Sequence, residues 1–333
     1  MNKFKAIIVK SFGAPSVMQL TELSKPKLNE TGEVLLKISG IGVNPVETYI
    51  RAGNYAKLPN LPYTPGTDCV GVVEKTTSEK NKINDVCLIA SPAADVYPGA
   101  YSQYVKTADQ NCINLGESAK FGNTKISDLA ACGVPFFTAY RALVTKANLD
   151  ALFQKPVNVL IHGGSGAVGL MAIQVAKIIN PNCRIVATAG SEIGEKACLE
   201  AGADEVVPHS LTSNFHNKFK IIIEMLADQN LADCMKCSAQ NGRIVIVGSR
   251  GDINVTPRDI MASEASIVGC SLFNQSHEEY QVAAEFLISG LDDGKIHPKI
   301  DTEFKLSEAA KAHEYIMHPD KKSNGKVVLL ADF

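Results

Sequence analysis

The fold is decided by the stretch Val157-Asn158-Val159-Leu160-Ile161-His162-Gly163-Gly164-Ser165-Gly166-Ala167-Val168-Gly169. Its apolar beginning predicts a buried strand, and an apolar helix is predicted from Ala167 onward. Gly163, Gly166 and Gly169 stand three residues apart between and within these elements. A turn without Cβ atoms lets a pyrophosphate approach the N–H groups at the helix N-terminus, and the last glycine lets helix and strand pack closely. The stretch therefore predicts a nucleotide-binding turn, with a glycine-rich packing turn as the alternative.

The region after this stretch alternates between strand-like and helix-like segments. Such alternation predicts βαβ units and a parallel sheet. Two mononucleotide-binding halves require about six strands. The expected strands are Val157–His162, Arg184–Thr188, Glu205–Val207, Ile221–Met225, Arg243–Gly248 and Ser266–Cys270.

The residues before this region contain short strand-like runs separated by Gly and Pro, which is typical of a β-rich domain. The C-terminal tail contains a helical segment and the strand-like run Lys326–Leu330. Since a lone helix and strand cannot form a domain, the tail is expected to rejoin the N-terminal part. We therefore expect an α/β protein with two domains, one discontinuous over residues 1–126 and 290–333 and the other over residues 127–289.

The composition is that of an ordinary folded protein: 333 residues, 45% of them hydrophobic and 20% charged. A formal net charge of −2 gives no bulk reason to bind nucleic acid or an anionic membrane. No run approaches the roughly 18 apolar residues of a membrane span. The N-terminus has no apolar run of the kind found in signal peptides. A cytoplasmic location without a membrane partner is expected.

The cysteines number nine, an odd count, and are scattered along the chain. This pattern favours free thiols in a reducing compartment over a disulfide framework. Cys234 and Cys237 have zinc-like spacing, but no second pair follows nearby. We interpret them as core residues on one face of a helix, with a metal site as the alternative.

The end of the second expected strand bears on cofactor choice, because NAD enzymes usually place Asp or Glu there for the ribose 2′-hydroxyl. Here the chain reads Thr188-Ala189-Gly190-Ser191. Small neutral residues leave space for a 2′-phosphate, and Lys196 can supply positive charge unless it is merely solvated. NADPH is favoured. Glu192 and Glu195 keep NADH open as the alternative, because either can reach a ribose.

Six motifs in order along the chain resemble the zeta-crystallin type of quinone oxidoreductase, a zinc-free branch of the medium-chain dehydrogenase/reductase superfamily. One is the glycine stretch. The others are Gly42-Val43-Asn44-Pro45-Val46-Glu47-Thr48-Tyr49-Ile50-Arg51, Leu61-Pro62-Tyr63-Thr64-Pro65-Gly66-Thr67-Asp68, Pro135-Phe136-Phe137-Thr138-Ala139-Tyr140-Arg141-Ala142-Leu143, Ile222-Ile223-Glu224-Met225-Leu226-Ala227 and Val247-Gly248-Ser249-Arg250-Gly251.

This resemblance implies a GroES-like catalytic domain joined to a Rossmann domain that binds NADPH. The residues it implies for the cofactor are Tyr49, Thr138, Ser165, Gly166, Ala167, Val168, Gly190, Lys196, His209, Asn230, Val247, Gly248, Ser249, Arg250, Cys270, Ser271 and Leu272. The family usually carries an Arg after the residue matching His209, where this chain has Ser210. The missing cation weakens the case for a strong NADPH preference.

Zinc-dependent members of the superfamily differ from this chain at their metal ligands. They carry a Cys where this chain has Asn44, a His-Glu pair where it has Thr67-Asp68, and a four-Cys lobe that it lacks. Catalytic zinc takes three protein ligands and structural zinc four. We therefore expect no zinc at these positions and no metal in the protein.

The reaction that the resemblance implies is the reduction of a quinone by NADPH, which needs hydrogen-bond donors at the acceptor's oxygens and no metal. We expect Asn44 and Tyr49 to be the catalytic donors, with Tyr55 as a third wall. The alternatives are an Asn-Pro turn for Asn44 and a packed aromatic for Tyr49. His162 is interpreted as a strand-end residue, and His313 as a surface residue.

Two other functions stay open at this point. One keeps the fold and the cofactor but reduces the double bond of 2-alkenals or enones. The other, from a different class, is a cofactor-binding structural crystallin or an AU-rich RNA-binding protein, although no basic stretch interleaved with aromatic residues supports base stacking. A homodimer or homotetramer is expected from the resemblance.

Overall fold

The structure is a computed structural model that describes residues 3–90, 96–117, 125–152, 155–318, 320 and 322–331. The chain divides into two compact units. Unit 1 comprises Met1–Val134, Pro298–Lys321 and Lys326–Phe333, and unit 2 comprises Pro135–His297 and Lys322–Gly325. Within the described residues, no helix is long and apolar enough to cross a membrane.

The strands of unit 1 are β1 (Lys3–Val9), β2 (Met18–Ser24), β3 (Glu33–Val43), β4 (Cys69–Thr76), β5 (Asp85–Ile89), β6 (Val96–Tyr97), β7 (Tyr104–Ala108), β8 (Ile113–Glu117), β15 (Ile300–Lys305) and β16 (Lys326–Leu330). Those of unit 2 are β9 (Val157–Ile161), β10 (Cys183–Thr188), β11 (Glu205–Val207), β12 (Phe219–Glu224), β13 (Ser238–Ile246) and β14 (Ser266–Gly269). The helices are α1 (Pro45–Ala52), α2 (Val134–Tyr140, continued as a π-helix over Arg141–Lys146), α3 (Ala167–Ile179), α4 (Glu192–Glu200), α5 (Ala227–Cys237), α6 (Pro257–Ser263), α7 (His277–Asp292) and α8 (Ala309–Met317).

Unit 2 is built on a six-stranded parallel sheet with the order β11-β10-β9-β12-β13-β14. From β9 the chain first adds β10 and β11 on one side of that strand. It then adds β12, β13 and β14 on the other side. This reversal is the switch point of a doubly wound sheet. Val159, Leu160 and Ile161 of β9 are fully buried, as expected for a central parallel strand covered on both faces. The predicted Rossmann arrangement is confirmed.

Unit 1 is β-rich, as predicted, and its largest sheet has the order β15-β16-β3-β4-β5-β8, with β7 also pairing with β3. β16 pairs antiparallel with β3, so that Val327 lies opposite Val43. The tail strand thereby enters the sheet of the N-terminal part. Its apolar run Val327, Val328 and Leu329 is buried, because the strand lies between two neighbours.

The boundaries between the units differ in detail from those expected. Unit 1 runs on to Val134 because the short helical segment Ile126–Cys132 packs against β3, β4 and β16. The tail expected in unit 1 began at residue 290, but residues 290–297 and Lys322–Gly325 belong to unit 2. There the Gly325 N–H donates to the Ser165 carbonyl at 2.9 Å, and Gly325 forms a parallel bridge with Gly166.

Candidate active site

The glycine turn of unit 2 connects β9 to α3, and no side chain among the described residues caps the first turn of the helix. Gly163 adopts φ +58°, which favours glycine. A Cβ on Gly164 would lie 2.7 Å from the Ala187 Cβ, and one on Gly169 would lie 2.4 Å from the Gly163 carbonyl oxygen. The N–H groups at the start of α3 therefore remain available to an anion, and the helix dipole favours negative charge there.

The carboxyl ends of the six parallel strands meet at one edge of the sheet, where ligands bind in doubly wound folds. Most of the predicted cofactor residues follow these ends. Ser165, Gly166, Ala167 and Val168 follow β9, Gly190 follows β10, His209 follows β11, Asn230 lies on α5 after β12, Val247, Gly248, Ser249 and Arg250 follow β13, and Cys270, Ser271 and Leu272 follow β14. Lys196 lies on α4 and Thr138 on α2. The topology brings the loop residues to a common edge, and their cofactor contacts stay a prediction.

Thr188, at the end of β10, connects the glycine turn to His209. Its hydroxyl oxygen accepts the Gly163 N–H at 2.9 Å and is hydrogen-bonded to His209 Nδ1 at 2.8 Å. Burial lowers the pKa of His209, so the ring is neutral at pH 7. A Cβ on Gly190 would lie 3.3 Å from His209 Nε2. The imidazole thus forms a fixed, uncharged wall beside the residue expected at the adenosine end.

Lys196 lies on the surface of α4. Its side chain is 79% exposed, and its ammonium is 3.8 Å from Glu200. An exposed ion pair at this distance contributes little stability. The ammonium is therefore not held in one position by this pair. Glu192 and Glu195, the acids that kept NADH as an alternative in the sequence, stand in the first turn of the same helix.

Two acidic residues that the sequence interpretation missed hold the loops after β12 and β13. Asp228 accepts the Arg250 N–H at 2.8 Å and the Ser249 hydroxyl at 3.3 Å. Glu224 accepts the Asn230 side-chain N–H at 3.0 Å. Glu224 lies within the motif that ends at Ala227 and Asp228 directly follows it, but the resemblance implied a cofactor role only for their neighbours.

Asn44 of unit 1 occupies the N-cap position of α1 and is buried. Its side-chain N–H₂ donates to Asp68 at 2.7 Å and to Glu47 at 3.2 Å. Its side-chain carbonyl accepts a hydrogen bond from the Lys326 ammonium, which also lies 3.4 Å from Asp68. The expectation that Asn44 donates to an acceptor does not agree with this geometry, because its donors already serve two buried carboxylates.

Glu47 shares this buried cluster. Its carboxylate accepts hydrogen bonds from the backbone N–H groups of Asn44 at 3.0 Å and Thr67 at 2.9 Å, and from the Tyr101 hydroxyl at 2.8 Å. Burial and the nearby Asp68 raise the pKa of Glu47. The same Tyr101 hydroxyl lies 2.9 Å from His313 Nε2.

His313 is 1% exposed, so the expectation of a surface position is wrong. Burial lowers the pKa of His313 to about 3, which keeps its ring neutral at physiological pH. The ring packs edge-on against Tyr101 with centroids 5.6 Å apart. His313 is therefore a structural core histidine.

The buried cluster of Asn44, Glu47 and Asp68 also contains a positively charged side chain, that of Lys326. The Lys326 ammonium contacts Asn44 and Asp68, the positions where zinc-dependent relatives carry a Cys and the Glu of their His-Glu pair. Its side chain is 3% exposed. Sequence reasoning missed this role; the available signal was a lysine at the start of an otherwise apolar strand.

Tyr49 and Tyr55 differ from Asn44 in being partly exposed. Tyr49 lies on α1, and no residue in the described part of the chain forms a hydrogen bond with its hydroxyl. Burial raises the pKa of Tyr55, so that hydroxyl is protonated at neutral pH. Because the Tyr49 hydroxyl has no partner among the described residues, it can donate a hydrogen bond to an acceptor oxygen.

Comparison with known families matches both units. Residues 30–117 match the alcohol dehydrogenase GroES-like domain, and residues 167–289 match the zinc-binding dehydrogenase family. These matches confirm the predicted GroES-like and Rossmann fold class.

Solved structures share the fold. The quinone oxidoreductase of Escherichia coli, complexed with NADPH, superposes with a TM-score of 0.80 at 24% identity, covering 98% of this chain and 100% of that one. The quinone oxidoreductase from Coxiella burnetii gives a TM-score of 0.78 at 25% identity and covers 99% of this chain and 100% of its own.

Curated relatives are more similar in sequence. The quinone oxidoreductase of Homo sapiens is 40% identical over 337 residues, which covers 98% of this chain and 97% of the human protein. That of Rattus norvegicus is also 40% identical with the same coverage. Identity at this level over nearly the whole length shows that the chain belongs to the zeta-crystallin type of quinone oxidoreductases, within the medium-chain dehydrogenase/reductase superfamily.

Proposed function

We propose that this protein uses NADPH to reduce quinones. The observation that carries the proposal is the 40% identity to curated quinone oxidoreductases over 98% of the chain. The glycine turn supports it, because that turn has the features of a pyrophosphate site: an uncapped helix N-terminus and glycines whose Cβ atoms would collide with neighbouring atoms.

The residues of unit 2 fit the cofactor. The N–H groups at the start of α3 would bind the pyrophosphate, while Gly190 and His209 would border the adenosine end. The loop of Val247–Arg250, held by Asp228, would border the nicotinamide end. When bound, NADPH supplies the hydride. The protein then has to orient the acceptor and stabilise the negative charge that develops on its oxygen.

Tyr49 is the donor that we propose for this oxygen, with Tyr55 as a neighbouring wall. The hydroxyl of Tyr49 has no competing partner among the described residues. Asn44 takes a different role in the proposal. It stands at the N-cap position of α1 and, through its bonds to Asp68 and Lys326, fixes the helix that carries Tyr49. We therefore propose Asn44 as a positioning residue rather than a donor.

The test is the loss of reduced-nicotinamide absorbance when the protein is mixed with NADPH and an ortho-quinone. We expect turnover with the quinone, and slower turnover when a 2-alkenal of similar size replaces it. Faster turnover with the 2-alkenal would instead establish a double-bond reductase. No turnover with either, together with RNA binding that NADPH displaces, would favour the RNA-binding alternative.

Tyr49→Phe is expected to lower kcat for the quinone by about tenfold, because one hydrogen bond to the developing charge is lost. The KM for NADPH should change little, since the substitution leaves the glycine turn intact. Steady-state kinetics with each substrate varied in turn would separate the two effects. Tyr315→Phe is the matched control, because that hydroxyl donates to Asp301 and has no proposed role in catalysis. An unchanged kcat in Tyr49→Phe would remove the tyrosine from the proposal.

Lys196→Ala is expected to raise the KM for NADPH several-fold and to leave the KM for NADH unchanged. A 2′-phosphate gains from a nearby ammonium, whereas a 2′-hydroxyl does not. Because Lys196 is largely exposed, the substitution should not affect stability. Lys220→Ala removes another lysine of unit 2, whose hydrogen-bond partners in the described part of the chain are two backbone carbonyls; it controls for the loss of charge. Equal increases in the KM for NADPH and in the KM for NADH would show that Lys196 does not interact with the 2′-phosphate.

A further inference from the structure

Three side chains of unit 2 with metal-binding atoms meet in its core. His162 follows β9, Glu224 ends β12 and Cys234 lies on α5. Their exposed fractions are 1%, 0% and 0%. Among the described residues, these form the group of His, Cys, Asp or Glu whose ligand atoms all lie within 4.8 Å of one another. None of the three has a part in the proposed reaction.

The distances within this group match one face of a tetrahedral metal site. His162 Nε2 lies 3.4 Å from Glu224 Oε2 and 3.4 Å from Cys234 Sγ, and that sulfur lies 3.2 Å from the same carboxylate oxygen. Zinc bonds of roughly 2.0–2.2 Å to nitrogen and oxygen and about 2.3 Å to sulfur give tetrahedral edges of about 3.3–3.6 Å. A metal ion therefore fits against all three atoms after shifts of a few tenths of an ångström.

We propose that His162, Glu224 and Cys234 bind a divalent transition metal of the zinc class. Three protein ligands leave a fourth position for water. The site is separate from the positions of Asn44 and Asp68, where zinc-dependent relatives hold their catalytic metal. It departs from the expectation of a metal-free protein, which rested on those positions and on the absence of a second cysteine pair.

The carboxylate is held in a suitable orientation by neighbours that do not belong to the triangle. Glu224 Oε1 accepts the Leu226 N–H at 2.5 Å and the Asn230 side-chain N–H at 3.0 Å. These bonds leave Oε2 facing His162 and Cys234. Such supporting hydrogen bonds orient ligands in known metal sites and commonly change metal affinity 10–100-fold.

The charges also balance. Glu224 and a Cys234 thiolate together carry the two negative charges that neutralise a divalent ion, while His162 stays neutral. Burial lowers the pKa of His162 and raises that of Cys234, so the free site holds a neutral ring and a protonated thiol. Binding then releases one proton: the metal–sulfur bond forms as the S–H bond breaks, and the proton leaves to solvent. A neutral metal site avoids the cost of a buried net charge.

The geometry also revises the interpretation of the pair Cys234 and Cys237. Their spacing suggested zinc, but the ligand partners of Cys234 come from other elements of the sheet rather than from Cys237. Cys237 lies on the same helix and is equally buried. It therefore provides a matched control for any effect of removing a buried thiol from α5.

The experiment uses the full-length chain, expressed in minimal medium that contains Co²⁺ in place of zinc, so that the buried site fills during folding. Cobalt bound by a thiolate shows a near-ultraviolet charge-transfer band and visible ligand-field bands. We expect about one cobalt ion per purified chain and a charge-transfer band of matching intensity. Cys234→Ser should remove the band, and Cys237→Ser should keep it. Glu224→Gln should keep the sulfur band but lose metal to a chelator at least about tenfold faster.

Several results would overturn the site. One is a wild-type protein with less than about a tenth of an ion per chain. Others are a band that survives in Cys234→Ser and a band that disappears equally in Cys237→Ser. If Cys234→Ser does not fold, the proposal is still tested by two measurements: the cobalt content of the wild-type protein and the rate at which Glu224→Gln loses metal to a chelator. None of these measurements uses reductase activity, so their failure leaves the proposed function intact.

Discussion

Replacing Lys326 by Met is expected to lower the free energy of unfolding by about 3–5 kcal/mol at neutral pH, the usual loss when one partner of a buried ion pair is removed. Met keeps most of the length of the side chain, so that the loss is chiefly electrostatic. Lys326 is buried against Asp68 and Asn44, and Glu47 lies in the same cluster. Without the ammonium, two buried carboxylates remain, and no other described residue forms an ion pair with either of them.

The backbone packs closely around the Asp68 carboxylate. A Cβ on Gly42 would lie 2.5 Å from an Asp68 oxygen, and one on Gly133 would lie 2.4 Å from the other. Glycine at both positions thus allows the backbone to enclose the carboxylate. Because the carboxylate is fully buried, we expect most of the desolvation cost to appear when the ammonium is lost.

The loss should depend on pH in a definite direction. Burial raises the pKa of Glu47 in the folded protein, and Lys326 counteracts part of this rise. In the variant the folded-state pKa rises further above the unfolded value, so the folded state holds a proton that the unfolded state has released. Stability of the variant therefore falls as pH rises from the unfolded glutamate pKa toward the folded one. Urea unfolding at pH 5 and pH 7.5 should show the larger difference from wild type at pH 7.5.

Lys311→Met is the matched control. That lysine is 67% exposed and pairs with Glu308 at the surface, so its loss should change the unfolding free energy by less than about 1 kcal/mol. A Lys326→Met variant as stable as this control would show that the buried ammonium does not stabilise the cluster. A large loss that is equal at both pH values would instead contradict the proposed link to the Glu47 pKa.

The Rossmann unit was predictable because its signals are local. The strand Val157–Ile161, the glycines after it and the apolar start of α3 are contiguous, and each βαβ unit repeats the same pattern. The order of the strands in a doubly wound sheet then follows, because the crossover connections between parallel strands are right-handed. Most residues predicted to bind the cofactor lie at the carboxyl edge of the sheet for the same reason, because they follow strand ends; their contacts with a cofactor stay a prediction.

The buried ionic cluster was not predictable from such patterns. Lys326 is separated from Asp68 by 258 positions and from Asn44 by 282, and only the pairing of β16 with β3 brings them together. A lysine beginning a strand ordinarily indicates solvent. From the sequence alone, the Asn44 side chain was therefore expected to donate to a substrate, whereas in the folded protein its N–H₂ group donates to Asp68 and Glu47.

His313 shows a signal that was present but not used. Ala309, Ala312 and His313 are the buried residues of α8, and their spacing of three and four is that of one helix face. A histidine on an apolar face favours burial, and here Tyr101 supplies its hydrogen bond. The buried group of His162, Glu224 and Cys234 has no comparable local signal, because its members lie on three separate elements.

Gly169→Ala is expected to lower NADPH affinity more than tenfold and the unfolding free energy by about 1–3 kcal/mol, the usual range for inserting atoms into a packed site. The added Cβ would lie 2.4 Å from the Gly163 oxygen and 2.6 Å from the Gly164 Cα. Both are backbone atoms, so no side-chain rotation relieves the contact. α3 must move away from the end of β9, which displaces the N–H groups proposed to bind the pyrophosphate.

Gly269→Ala separates this effect from a general cost of replacing glycine, since a Cβ there has no atom within 4 Å. It should bind NADPH like the wild type and unfold at nearly the same urea concentration. Calorimetric titration with NADPH measures the affinity of each variant, and urea unfolding measures its stability. If Gly169→Ala is destabilised but binds NADPH normally, the close approach of α3 to β9 serves packing alone, and the glycine turn loses its proposed role in cofactor binding.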